Sequence, residues 1–148
     1  TAIPWAAGHH FYFQLPWRQG LFRSDYQLSI SARKVRQYKQ GGLLEKVDPP
    51  KGPVPFDDPG LVNRIHYELK EPFALFGLGN EEEQITIAEV GGAEVGSRLT
   101  FVSWTESDDS PFYCIEPWMA PPNAPEIKSA RFVPPSGRDE FTVEVQLA

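Results

Sequence analysis

Two of the three histidines stand side by side near the N-terminus, in Gly8-His9-His10-Phe11-Tyr12-Phe13-Gln14-Leu15. A carboxylate lies near the end of a second apolar run, Phe112-Tyr113-Cys114-Ile115-Glu116-Pro117-Trp118. Histidine titrates near neutrality, and a partly buried glutamate can be raised toward that range, so the two together make an acid–base pair. Such a pair suits a reaction that moves protons at two oxygens and calls for neither metal nor nucleophile. The first run has the period of a strand: His10, Tyr12 and Gln14 point to one face, Phe11, Phe13 and Leu15 to the other. One face is then core, and the other is a polar strip led by His10. The residues alone leave the plainer alternative open, a hydrogen-bonded structural histidine and a glutamate at a strand edge.

Other chemistries fit less well. A metal set of His9, His10 and His66 with a carboxylate is conceivable in a small β-barrel. Adjacent strand residues point to opposite faces, however, and the usual His-x-His spacing is absent, so no metal is expected. Cys114 sits between Tyr113 and Ile115 and reads as a core thiol. There is no Gly-x-Ser-x-Gly, phosphate loop or dinucleotide fingerprint, so no cofactor is expected. Trp5, Trp17, Trp104 and Trp118 have the surface to stack on sugar rings or to fill a core.

The elements that must position these residues are short strands. The chain has 148 residues, 41% of them hydrophobic and 13% aromatic, enough for one domain, residues 1–148, with a real core. Its 15 prolines and 12 glycines are spread along it, which suits strands and turns better than long helices. A formal net charge of −6, with no basic cluster beyond Arg33-Lys34-Val35-Arg36, argues against nucleic acid and anionic membrane as partners. No apolar run approaches the roughly 20 residues needed to span a bilayer, and no signal peptide is evident. A single cysteine allows no intrachain disulfide and fits a reducing, cytoplasmic setting. The chain opens on Thr1 without a methionine, as a processed chain or part of a longer protein would.

In order, Ile3 to Ala7 reads as an extended lead-in, Gly8 to Leu15 as a strand, and residues 16–20 as a turn. Asp25 to Ile30 reads as a half-buried strand. Arg33 to Tyr38, with Val35 its one aliphatic residue, reads as an edge strand or a connection. Gln40 to Gly60, with five prolines, reads as a long irregular loop. Strands follow at Arg64–Leu69, with His66 and Glu68 on the polar face, at Phe73–Leu78, Gln84–Val90 and Arg98–Thr105, and across the Cys114 run. Asn80-Glu81-Glu82-Glu83 reads as a solvated acidic turn, and Gly91-Gly92 as a break. Met119 to Pro125 is irregular, and residues 134–137 form a turn. The last strand alternates, with Phe141, Val143, Val145 and Leu147 inward. Eight or nine short strands without an amphipathic helix make the fold all-β, an antiparallel sandwich or jelly-roll-like arrangement.

The two runs also resemble segments of the aldose 1-epimerase (galactose mutarotase-like) family. Gly8-His9-His10-Phe11-Tyr12-Phe13 is similar to its Gly-x-His-x-Tyr-Phe segment. Cys114-Ile115-Glu116-Pro117-Trp118 with Ala120-Pro121-Pro122-Asn123-Ala124 is similar to its Cys-(Ile/Val)-Glu-Pro-(Trp) segment and the loop after it. Phe132-Val133-Pro134-Pro135-Ser136-Gly137 before a final strand fits its close. The resemblance implies the C-terminal half of a larger β-sandwich, with the upstream half, and a sugar-binding arginine in it, supplied by a possible partner chain. It implies an aldose 1-epimerase that interconverts the anomers of a monosaccharide or sugar phosphate. Glu116 would be the general base at the anomeric hydroxyl and His10 the general acid at the ring oxygen, with Tyr12 and Trp118 facing the sugar. Asn63 stands where the family commonly has a sugar-binding aspartate, with Asp57 or Asp58 as alternatives. The competing reading is a non-catalytic carbohydrate-binding module of the same fold.

Overall fold

The computed structural model describes residues 1–79, 82–91, 98–126 and 129–148. Asn80, Glu81 and Gly92, parts of the expected acidic turn and glycine break, lie outside the described residues. Among those described, eleven strands form: β1 (Ile3–Trp5), β2 (Phe11–Gln14), β3 (Tyr26–Tyr38), β4 (Leu44–Val47), β5 (Val54–Pro55), β6 (Arg64–Leu78), β7 (Gln84–Glu89), β8 (Thr100–Trp104), β9 (Phe112–Trp118), β10 (Arg131–Val133) and β11 (Val143–Leu147). Helical structure among them is confined to two 3-10 turns, Arg23–Asp25 and Pro59–Leu61. No helix among them is long and apolar enough to cross a membrane.

A bent ribbon of β3 and β6 is the frame. The two strands pair antiparallel along nearly their whole lengths. Ile30 faces Ala74 but Ala32 faces Leu69, so β6 carries three more residues than β3 across that point. The excess falls at Lys70-Glu71-Pro72, where Pro72 has no N–H for a ladder. On its far edge β6 forks: Phe73–Gly77 pair with β7, and Arg64–His66 pair with β8. β7 continues to β11, and β8 continues through β9 to β2. The fork yields two layers whose inner faces share one core, including Phe76 and Ile87 from one and Phe101, Tyr113 and Ile115 from the other. Phe13 of β2 meets Phe76 of β6 edge-on, with ring centroids 4.7 Å apart. This is the expected antiparallel β-sandwich.

Several sequence expectations give way. Arg33–Tyr38 is not an edge or a connection but half of the 13-residue β3, paired with β6 on one side and β4 on the other. Buried Gln37 conceals this in the sequence; its amide donates to the Val62 carbonyl and accepts from Arg64 Nε. The loop expected over 40–60 contains β4 and β5; Val54 and Phe56 within it, and Leu61 just after it, enter the core. Ile3–Trp5 is a paired strand, antiparallel to β10. Its anchor is Arg131, which binds Asp139 and Glu89 while Trp5 Nε1 donates to Asp139 Oδ2 at 2.8 Å. His66 is buried, not on a polar face. Glu83 of the acidic turn pairs with Arg18 and is not simply solvated. The inward face of the last strand holds only at its start: Phe141 and Val143 pack on the core, while Val145 and Leu147 are exposed. β11 ends the sheet, and the outer part of that face stays exposed.

Candidate active site

Pairing of β2 with β9 builds the site. Phe11 faces Ile115 and Tyr12 faces Cys114, and the same register runs on to a bridge between Gly8 and Trp118. His10 therefore stands directly across from Glu116. Backbone bonds fall at alternate pairs of this register, at the adjacent one, where His9 N–H donates to the Pro117 carbonyl, and at the far end, where Leu15 N–H donates to the Pro111 carbonyl, each at 3.0 Å. His10 and Glu116 thus occupy a non-hydrogen-bonded position, where facing side chains come closest. Pro111 and Pro117 have no N–H to return, so each of those rungs keeps a single bond. That confines the regular strand to Phe11–Gln14 within the expected Gly8–Leu15.

His10 Nε2 lies 3.0 Å from Glu116 Oε1; the imidazole is 46% exposed and the carboxylate 7%. An imidazole at the rim thus reaches a carboxylate in the floor. The second carboxylate oxygen accepts from Trp118 Nε1–H at 3.2 Å. Burial raises the Glu116 carboxyl above its ordinary value of 4.5, and the Trp118 hydrogen bond and His10 pull in the opposite direction. The result is a carboxylate more basic than one at the surface, with both oxygens directed.

Trp118 reaches this position because residue 8 is glycine. A Cβ on Gly8 would fall 2.2 Å from indole atoms Cδ2 and Cε3. Gly8→Ala is therefore expected to destabilise the fold by about 1–3 kcal/mol, the usual cost of overpacking, in urea denaturation followed by tryptophan fluorescence. An unchanged midpoint would mean that the indole does not lie over residue 8.

An aromatic rim surrounds the pair. Tyr12 stacks on His10 with centroids 5.1 Å apart, Trp104 meets His10 edge-on at 5.9 Å, and Phe112 touches the Tyr12 and Trp104 rings. Cys114 faces Tyr12 on one side and Trp104 on the other. It is buried, and desolvation, with a smaller effect of Glu116, pushes its thiol up to about 12. A thiol held protonated is no nucleophile. The donor atoms of His10, Cys114 and Glu116 nevertheless lie within 4.8 Å of one another. The sequence reading missed Trp104, Phe112 and Cys114 as neighbours of the pair. Alternation along Phe112–Trp118, which puts residues 112, 114, 116 and 118 on one face, was the available signal for two of them.

The remaining sequence candidates lie elsewhere or have local duties. His9 points away from His10 and stacks on Phe11 and Phe141. His66 faces Phe101, which faces Pro117, so it belongs with His9 on the face opposite His10. Its Nε2 lies 3.3 Å from Ser103 Oγ, whose hydroxyl donates to the Leu61 carbonyl. Burial, helped by Arg64, takes its pKa down to about 3. The set His9, His10, His66 is not assembled. Asn63 precedes β6 with φ 58°, and its carbonyl accepts from Tyr38 N–H. Asparagine is among the few residues that tolerate this left-handed conformation, so its presence has a backbone reason. Asp58 accepts from Gly60 N–H at 2.7 Å and so caps the turn over Pro59–Leu61.

The forked sheet defines the class of fold, a galactose mutarotase-like β-sandwich, and three solved structures carry the likeness. The Slr1438 protein from Synechocystis sp. PCC 6803 superposes with a TM-score of 0.71 at 20% identity over 99% of this chain and 46% of its own. A galactose mutarotase-like protein from Clostridium acetobutylicum gives 0.70 at 18%, over 99% and 48%. A candidate aldose 1-epimerase from Escherichia coli K12 gives 0.65 at 17%, over 99% and 52%. The chain thus spans about half the length of these structures, and at such identities the likeness is one of fold. No protein-family model and no curated protein matches the sequence.

Proposed function

We propose that the chain carries the acid–base pair of an aldose 1-epimerase, acting on a free or phosphorylated aldose. The observation that carries this reading is the contact between rim imidazole and buried carboxylate, His10 Nε2 to Glu116 Oε1 at 3.0 Å. The mutarotase-like fold supports it, as does the likeness to a galactose mutarotase-like protein and a candidate aldose 1-epimerase. Glu116 takes the proton from the anomeric hydroxyl while His10 gives one to the ring oxygen. The C1–ring oxygen bond breaks to leave an aldehyde, and the C1–C2 bond turns. The hydroxyl then adds to the other carbonyl face, with both protons returned. Trp118 acts through Glu116, by holding its second oxygen. Tyr12 offers an exposed ring on which the apolar face of a sugar can stack, and Asn63 is carried from the sequence as a candidate to hydrogen-bond sugar hydroxyls.

Saturation-transfer NMR on glucose, galactose and glucose 6-phosphate tests this. Exchange between anomers well above the buffer rate is the expected result. Sugar binding without exchange would assign the chain to the binding-module reading instead. Neither binding nor exchange would remove both.

A further inference from the structure

We infer that His10, Cys114 and Glu116 form a site for one zinc ion, and that occupancy of this site shuts off the acid–base pair. The second clause rests on the proposed epimerase reading; the first does not. Nitrogen, sulfur and carboxylate oxygen from two paired strands converge within 4.8 Å. In a tetrahedral zinc site, bonds of about 2.0–2.3 Å set ligand atoms roughly 3.3–3.8 Å apart. The nitrogen–oxygen pair is at 3.0 Å and no two of the three atoms are more than 4.8 Å apart, so reaching that spacing takes shifts of about 1 Å. Imidazole, thiolate and carboxylate together suit zinc or cobalt(II), whereas an all-oxygen set would suit magnesium or calcium.

The surroundings also fit. Zinc with one thiolate and one carboxylate is neutral, which a floor walled by Tyr12, Trp104 and Phe112 accommodates. The Trp118 N–H on Glu116 Oε2 is the outer partner that orients a ligating carboxylate. The half-exposed His10 leaves the solvent side open for entry and for a fourth ligand. On binding, the Cys114 S–H bond gives its proton to the buffer and the sulfur lone pair goes to the metal. Glu116 and His10 then hold metal through the atoms that would otherwise take and give protons. This set shares only His10 with the histidine cluster that the sequence suggested, because strand alternation sends His9 and His66 to the other face.

Equilibrium dialysis of the chain against zinc is expected to give one ion per chain. Cys114→Ser and His10→Ala are each expected to weaken binding by more than the ~10–100-fold that loss of an outer partner typically costs. His10 lies at the surface, so its variant reports even where Cys114→Ser perturbs the core. The cobalt(II) form should show a thiolate-to-metal charge-transfer band that Cys114→Ser removes. Anomer exchange should fall as zinc is added and return with a chelator. No stoichiometric zinc, or binding indifferent to both substitutions, would overturn the site. Exchange that persists in the zinc-loaded protein would overturn its competition with the pair. A metal-free protein without exchange refutes the epimerase reading, while dialysis and the cobalt band still decide the site.

Discussion

Glu116→Gln is expected to lower anomer exchange by about 10²–10⁴-fold, the usual contribution of a positioned acid or base, while sugar binding persists. Glutamine keeps the shape and can still accept from Trp118 Nε1–H, so the fold should tolerate it, but it cannot take the anomeric proton. The wild-type pH profile carries a second signature. The base must be ionised, and burial raises its pKa above 4.5, so activity on the acid side falls with a limb above the ordinary carboxylate value. The Trp118 hydrogen bond opposes that rise, so Trp118→Phe should move the limb further up. Stability runs the other way. A carboxyl whose folded pKa is raised contributes stability fully present below its unfolded value and lost as pH rises through the folded one. Exchange unchanged in Glu116→Gln would remove Glu116 from the chemistry, and a limb at the unshifted value would remove the buried environment as its cause.

Phe76→Ala is expected to cost about 3–5 kcal/mol, the range for deleting a buried phenylalanine. Phe76 lies on β6 with 1% exposure and meets Phe13, Trp17 and Phe56 with ring centroids 4.7–6.0 Å away. Phe13 belongs to β2, so the same ring holds the strand that carries His10 against the frame. At about 2–4 °C per kcal/mol for a chain of this size, the melting temperature should fall by roughly 6–20 °C in calorimetry. Leu147→Ala serves as the contrast. Leu147 was expected inward by alternation but is 81% exposed, so its loss should stay within about 0.5 kcal/mol. Equal costs for the two would mean that the face of β11 is covered after all.

Those two residues show where sequence reading works and where it stops. Alternation states which residues share a face, and for His10, Tyr12 and Phe13 that was enough. It does not state whether a face is covered, because cover comes from elements distant in the chain. Leu147 shows this by being exposed and His66 by being buried. Pro72 separated two expected strands that are one, since a bulge absorbs it. Gln37 hid the interior position of a strand because its polar side chain finds partners only in the folded chain.

The all-β class, the polar face led by His10, the run that ends in Glu116 and Trp118, and a resemblance that the fold comparisons match are all legible along the chain. These are local properties, written in a two-residue period and in residue type. Long-range pairing brings His10 and Glu116 together, since residues so far apart in the chain touch only through the β2–β9 register. It also decided that Trp118 spends its N–H on Glu116 over the bare backbone of Gly8, and that Cys114 joins the pair. Register and burial are set by the simultaneous pairing and packing of distant strands, a condition that no single stretch of sequence contains.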